Sequence, residues 1–270
     1  MQWPVPQFPT KCYASQGGSL VTTGSTANTK GAWVTLASGL AEPVHWVNLW
    51  SYQATALSGA DTARLIDLAI GAPGSETIVA PDLIWGFRGR RGTLLPLYVP
   101  AGATLRARAA GAQAGDGKAL ALDLYAGEPD AGLSAPGRIT AYGVVPASSG
   151  GTQVTSSASL GVKGPYAQLT AATTAPIHAL MVLVQGASSS IPFTDLTLDI
   201  AVGPSGQETD ILHDLRFELD SDRELVTPLA SEFQPLSMSI PAGTRLAARA
   251  ARQTGSGAAA VEVAVYGFTY

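Results

Sequence analysis

Residues 195–202 read Asp195-Leu196-Thr197-Leu198-Asp199-Ile200-Ala201-Val202, with Leu196, Leu198, Ile200 and Val202 on one side of a two-residue repeat and Asp195, Thr197, Asp199 and Ala201 on the other. That period is the signature of a half-buried β-strand. The stretch has a double upstream. Asp67-Leu68-Ala69-Ile70-Gly71 matches Asp199-Ile200-Ala201-Val202-Gly203 at an offset of 132, and Gly74, Glu76 and Thr77 then match Gly206, Glu208 and Thr209. Asp82-Leu83 matches Asp214-Leu215 in the same register.

On the N-terminal side of this block, residues 17–45 align without a gap on 150–178 at an offset of 133. Lys30-Gly31 falls on Lys163-Gly164, Leu36 on Leu169, Pro43-Val44-His45 on Pro176-Ile177-His178, and Trp33 on Tyr166. On the C-terminal side the offset becomes 141: Pro100-Ala101-Gly102 matches Pro241-Ala242-Gly243, and Leu105, Ala107, Arg108 and Tyr125 match Leu246, Ala248, Arg249 and Tyr266. A period near 133 is the size of a domain rather than of a solenoid unit. The chain therefore divides into an extended N-terminal arm at 1–16, copy one at 17–128, a loop-rich connector at 129–149 and copy two at 150–270.

Both copies carry strand patterns elsewhere. Leu120, Leu122 and Leu124 alternate with Ala121, Asp123 and Tyr125, as Val261, Val263 and Val265 do with Glu262, Ala264 and Tyr266. The Ala- and Arg-rich run 104–109 follows Pro-Ala-Gly and also alternates, which outweighs its helix propensity. The apolar runs 46–50 and 179–184 have the length of central strands covered on both faces. With 30 Gly and 18 Pro in 270 residues, long helices are disfavoured and short strands joined by turns are favoured. The fold class is all-β: two tandem, duplicated antiparallel β-sandwich domains with an extended N-terminal arm. Jelly-roll and immunoglobulin-like topologies both fit.

Composition excludes several functions. A net charge of −4 with 13% charged residues leaves no basic footprint for nucleic acid or an anionic membrane. A single cysteine, Cys12, allows neither an internal disulfide nor a cysteine-rich metal site. No stretch reaches the ~18 to 20 apolar residues of a membrane span, and no basic-then-apolar leader opens the chain, so a soluble protein without a signal peptide is expected.

Equipment for chemistry is sparse. His45 and His178 occupy the same place in the two copies and, with His213, are expected to be structural, hydrogen-bonded near strand ends. No metal, cofactor or catalytic residue is assigned, and the chain is expected not to be an enzyme. Residues 115–119, Gly-Asp-Gly-Lys-Ala, lack the spacing of a phosphate loop and are expected to form a hairpin turn. Asp67 with Glu76, and Asp199 with Glu208, flank Gly-rich turns where carboxylates serve solvation and backbone hydrogen bonding, with a shared cation or sugar role as the alternative.

Three sets of residues point to partners. The arm carries Trp3, Pro4 and Phe8, whose rings need a surface to bury against, which suits docking. The loop where the offset changes holds Arg88, Arg90 and Arg91 in copy one but Glu218, Asp220, Asp222 and Glu224 in copy two, a charge contrast suited to copy one of one subunit meeting copy two of another. Trp46, Trp50, Trp85 and Tyr52 are the rings that could stack on a sugar, with Trp85 and Tyr52 the candidates retained, since the apolar strand neighbours of Trp46 and Trp50 favour burial of those two in the core.

The block from Asp67 to Glu76, the Pro100-Ala-Gly-x-x-Leu105-x-Ala-Arg108 segment and its second copy from Ser239 to Arg249 resemble the repeated β-domains of accessory virion proteins of tailed bacteriophages. The resemblance covers both copies. It implies a non-enzymatic structural role as a capsid spike, head fibre, decoration protein or tail-fibre component, located in the virion and assembled in the host cytoplasm. It also implies self-association, with a trimer common in that class, contact with other virion proteins through the arm, and contact with a host surface glycan. A carbohydrate-binding β-sandwich module is the alternative.

Overall fold

The structure, a computed structural model, describes residues 11–14, 18–52, 64–85, 91–126, 138–186, 194–219, 225–227 and 236–269. The first half contributes β1 (Lys11–Ala14), β2 (Ser19–Thr22), β3 (Val34–Ala37), β4 (Val44–Tyr52), β5 (Arg64–Ile70), β6 (Thr77–Trp85), β7 (Arg91–Val99), β8 (Leu105–Gly111) and β9 (Gly117–Ala126). The second contributes β10 (Arg138–Tyr142), β11 (Val144–Val145), β12 (Gly150–Thr155), β13 (Ala167–Thr170), β14 (Ile177–Gly186), β15 (Thr194–Val202), β16 (Thr209–Leu219), β17 (Leu225–Thr227), β18 (Leu236–Ile240), β19 (Leu246–Arg252) and β20 (Ala260–Thr269). A 3-10 turn, Pro146–Ser148, lies between β11 and β12.

The strand order decides the topology. In the first copy one sheet runs β1-β9-β4-β7, with β2 also on β9, and the other runs β3-β8-β5-β6. The second copy repeats this as β10 and β12 on β20, then β14 and β18, facing β13-β19-β15-β16, and adds β11 beside β12 and β17 beside β16. Sequential strands cross between two antiparallel sheets in the jelly-roll order, so the immunoglobulin-like alternative falls away. The expected hairpin turn at 115–119 is displaced: residues 112–116, with Gly115 at φ 68°, carry the chain from β8 to β9 on the opposite sheet, and 117–119 already belong to β9.

Two boundaries shift from the expected ones. Within the expected arm, residues 11–14 form β1, which pairs Lys11 with Ala126. Within the expected connector, residues 138–142 form β10, which pairs Arg138 with Thr269 in the corresponding place. The register of the last strand also differs. Ser19 pairs with Leu120 and Thr152 with Val263, so β20 stands at an offset of 143 from β9. Two extra residues in the β19–β20 turn cause this. The structural counterpart of Tyr266 is thus Asp123, and that of Tyr125 is Phe268.

Alternation fills each interior. Val47, Leu49, Leu68, Leu95, Leu105 and Leu122 are buried between the first pair of sheets, and Val154, Leu180, Val182, Ile200, Leu246 and Val263 between the second. The Lys-Gly repeat has a packing cause. A Cβ at Gly31 would lie 1.9 Å from the Thr22 carbonyl oxygen, and one at Gly164 would lie 2.0 Å from that of Thr155, so only glycine lets the two segments cross.

The copies join through the outer face of the β20–β14 layer. Met181, Leu183, Ala264, Tyr266 and Phe268 alternate away from the second core and are buried in the same cluster as Leu83, Ile84 and Trp85 of β6. The Tyr266 hydroxyl accepts from the Ile84 N–H at 2.7 Å and donates to the Asp82 carbonyl at 2.8 Å. A second link runs from the Ser149 hydroxyl to the Asn28 side-chain carbonyl at 2.9 Å. Residues 179–184 are therefore apolar on both faces because both faces are covered.

Tyr266→Phe leaves the Ile84 N–H and Asp82 carbonyl without their buried partner. It is expected to lower the unfolding free energy by about 1–3 kcal/mol, read as a lower urea midpoint. The same change at exposed Tyr98 is expected to move it by less than about 0.5 kcal/mol.

Candidate functional site

The outer face of the β5–β8 sheet carries a polar cluster centred on Asp67, whose side chain is 3% exposed. Its carboxylate accepts from Lys30 Nζ at 2.7 Å, Arg108 Nε at 2.8 Å and the Asp82 backbone N–H at 2.9 Å. Lys30 also pairs with Asp82 at 2.7 Å, and the Arg108 guanidinium lies 4.5 Å from the centroid of the Trp33 ring. The second copy repeats every part. Asp199 accepts from Lys163 Nζ at 2.7 Å, Arg249 Nε at 2.9 Å and the Asp214 N–H at 2.9 Å, and Arg249 lies 4.5 Å from the centroid of the Tyr166 ring.

Asp82 and Asp214 sit at φ 49° and 50°, a left-handed conformation that turns each N–H onto the buried carboxylate. Burial alone would raise the Asp67 and Asp199 carboxyls. The cations and the backbone N–H outweigh it and hold both below the ordinary range. The second copy adds Asp210, which takes Arg249 Nη2 at 2.6 Å and the Tyr166 hydroxyl at 2.6 Å, where the first copy has Ile78. Burial, together with the hydrogen bond to Asp210, pushes the Tyr166 hydroxyl up to about 12.

The flanking glutamates are tied separately. Glu76 pairs with Arg106 and accepts from the Gly74 N–H at 3.1 Å, while Glu208 takes Arg245 Nη1 at 3.0 Å and the Gly206 N–H at 2.8 Å. Each carboxylate of the Asp–Glu pairs thus has its own cation, which is the arrangement of a structural turn. The histidines diverge. His45 lies 5.4 Å from the Tyr98 ring, and its buried ring nitrogens have no hydrogen-bond partner among the described residues, unlike the expectation. His178 and His213 are exposed, with His213 Nδ1 3.6 Å from Asp210. Among the described residues no three of His, Cys, Asp and Glu gather as a metal site requires.

A second cluster lies on the outer face of the β9–β4 layer. Trp46 pairs with Tyr125 and Asn48 with Asp123 across the strands, with Trp50 two residues further along the same face. Asp123 accepts from Trp50 Nε1 and from Asn48 Nδ2, the latter at 3.3 Å. Cys12, on β1 beside Tyr125, is exposed, and its thiol is pushed up by partial burial and by the Asp123 charge. Trp46, Asn48, Trp50, Asp123 and Tyr125 are all partly exposed.

The rings named from the sequence are placed differently from one another. Trp85 ends β6 inside the first core cluster at 1% exposure and offers no ring face to solvent. Trp46 and Trp50, expected in the core, instead point outward because Val47 and Leu49 take the inward positions. Trp3, Pro4, Phe8, Arg88, Arg90, Asp220, Asp222 and Glu224 lie outside the described residues. Tyr52, Arg91 and Glu218 fall in β4, β7 and β16, with their side chains outside the described set. The polar cluster was announced by the repetition of Lys-Gly, Asp67/Asp199 and Arg108/Arg249; the aromatic face had no counterpart in copy two to mark it.

No protein-family model matches the chain, and no curated protein matches it. Among solved structures it is similar to the STIV MCP, at 11% identity over 96% of both chains with a TM-score of 0.33. It is also similar to the tandem CBM22-1–CBM22-2 domain of Paenibacillus barcinonensis Xyn10C, at 10% identity over 97% and 94% of the two chains with a TM-score of 0.26. A third likeness is to the VP2 subviral particle of infectious bursal disease virus, at 12% identity over 96% and 72% with a TM-score of 0.25. At these identities and scores none of them says what the chain does; the architecture rests on the strand order above.

Asp67→Asn leaves Lys30 and Arg108 facing a neutral group. Because both cations reach solvent, the cost is expected near the lower end of ~3 to 5 kcal/mol, measured by urea denaturation at pH 7. The acid limb follows from the same groups. Their folded pKa values lie below the unfolded one, so their contribution is present above about pH 4 and is lost as pH falls through the folded values. Stability of the unaltered chain is expected to drop on acidification below about pH 4, and Asp199→Asn is expected to flatten that drop.

Proposed function

We propose that this chain is a non-enzymatic structural component of a tailed-phage virion, a spike, fibre or decoration protein of the head or a component of the tail fibre, whose subunits associate with one another. The observation that supports this reading best is where the charged groups go. Asp67, Asp199, Glu76 and Glu208 are each matched to an arginine or lysine of the same copy, in duplicate, so they stiffen a framework and are not held poised for a reaction. The jelly roll itself is a fold used by capsid and lectin domains. The arm before β1, with Trp3, Pro4 and Phe8, is the segment that docks on other virion proteins.

A second reading, a carbohydrate-binding module, is favoured by one observation: Trp46, Trp50 and Tyr125 surround Asp123 and Asn48 on one open face, which is the mixture of rings and polar groups that holds a sugar. Host surface glycan is then the ligand.

Immunogold labelling of purified tailed particles with an antibody against this chain tests the first reading. Label on the head shell or at the tail tip is the expected result, and unlabelled particles overturn it. Binding of the isolated chain to a host polysaccharide, lost in Trp46→Ala and Trp50→Ala, is the result expected of the second.

A further inference from the structure

The joint inside the chain has two halves, and each half is present twice. The first half is a sheet face. In copy two Ile139, Met181, Leu183, Ala264, Tyr266 and Phe268 are buried on it beneath β6. Strand pairing places Cys12, Asn48, Trp50, Ala121, Asp123 and Tyr125 at the same positions of copy one. There Cys12 is exposed and the other five are partly exposed.

The second half is a strand segment. In copy one it is residues 82–84 of β6, which present the Asp82 carbonyl and the Ile84 N–H to Tyr266. Its repeat is residues 214–216 of β16, with the same left-handed φ at Asp214 and the same N–H bond to the buried aspartate. Here His213, Asp214 and Arg216 are exposed. One face and one strand are joined within the chain, and one of each is left over on the opposite copies.

We infer that the β1–β9–β4 face of copy one receives β16 of a second copy of this chain, repeating between chains the joint that holds the two copies together within one. This rests on the self-association in the proposed function and names the surfaces that carry it. Chemistry at the leftover halves is matched. Asp123 stands where Tyr266 accepts from the Ile84 N–H, and Arg216 stands where Ile84 lies, so a carboxylate meets an arginine. A carboxylate accepts up to about four hydrogen bonds, so the two from Trp50 and Asn48 leave Asp123 capacity for a guanidinium. Trp46 and Trp50 flank it, and this chain already sets Arg108 and Arg249 over aromatic rings at 4.5 Å. Trp, Tyr and Arg are also the residues in which subunit interfaces concentrate their binding energy. Face-to-strand contact between unlike surfaces is heterologous, so it closes a ring or extends a fibre.

Sedimentation velocity of the full chain over a concentration series, with thiol-reagent labelling of Cys12, tests this. Cys12 is the single cysteine, and its counterpart Ile139 is fully buried in the internal joint. Expected is a concentration-dependent oligomer in which Cys12 labels at least tenfold more slowly than in the dissociated chain. Arg216→Glu, a change at an exposed side chain, is expected to weaken association at least tenfold and to restore fast labelling. A chain that stays monomeric at every concentration overturns the inference, as does an oligomer indifferent to Arg216→Glu with Cys12 still reactive. Labelled particles with a monomeric chain would sink this inference and leave the virion reading standing; association through this face with unlabelled particles would do the reverse.

Discussion

A carboxylate shut away from water must find its counter-charges nearby or lose its charge, and Asp67 and Asp199 each find two cations on two segments and a backbone N–H on a third. In each copy the aspartate of the β5 or β15 strand gathers a lysine from the preceding crossover, an arginine from the neighbouring strand, and a backbone N–H from β6 or β16. That last bond requires the left-handed turn at Asp82 or Asp214. The turn in turn shapes the part of β6 that meets Tyr266. The internal ion cluster and the joint between copies are therefore one mechanical unit.

The joint explains why two sandwiches of common origin differ in surface chemistry. Copy two can carry Met181, Leu183 and Phe268 on its outer face because copy one covers them; copy one carries Asn48, Trp50 and Tyr125 at the matching places, where water still reaches. Polarity on these faces follows coverage, and coverage follows the order of the copies along the chain.

Strand identity and duplication were legible in the sequence because period-two alternation and repeated Lys-Gly, Asp and Arg positions are local signals. Topology was not, since the alternation of Leu120, Leu122 and Leu124 says which face is inward without saying which sheet the strand joins. The match of Tyr125 with Tyr266 was misleading for a physical reason: identical residue types two positions apart on a strand point to the same face, so pattern alone tolerates the slip that the longer β19–β20 turn introduces. Trp85 misled differently. A tryptophan at a strand end next to a Gly- and Arg-rich loop looks exposed, yet it is buried in the first core cluster. The outward face of Trp46 and Trp50 was hidden by Val47 and Leu49 between them, which made the run look buried on both sides.

The order of the copies also bears on how the chain is made. Copy one leaves the ribosome first, and its two sheets cover each other's apolar faces while its outer β9–β4 face, with Asp123 and Asn48, tolerates water. When copy two follows, β6 is already formed and the apolar face around Tyr266 has a template to land on. Reversed, the same two halves would leave that face bare for the time needed to synthesise the second domain, on the order of ten seconds at common elongation rates. Vectorial synthesis thus favours the arrangement seen here, in which the half that needs a chaperoning surface is the half that is born second.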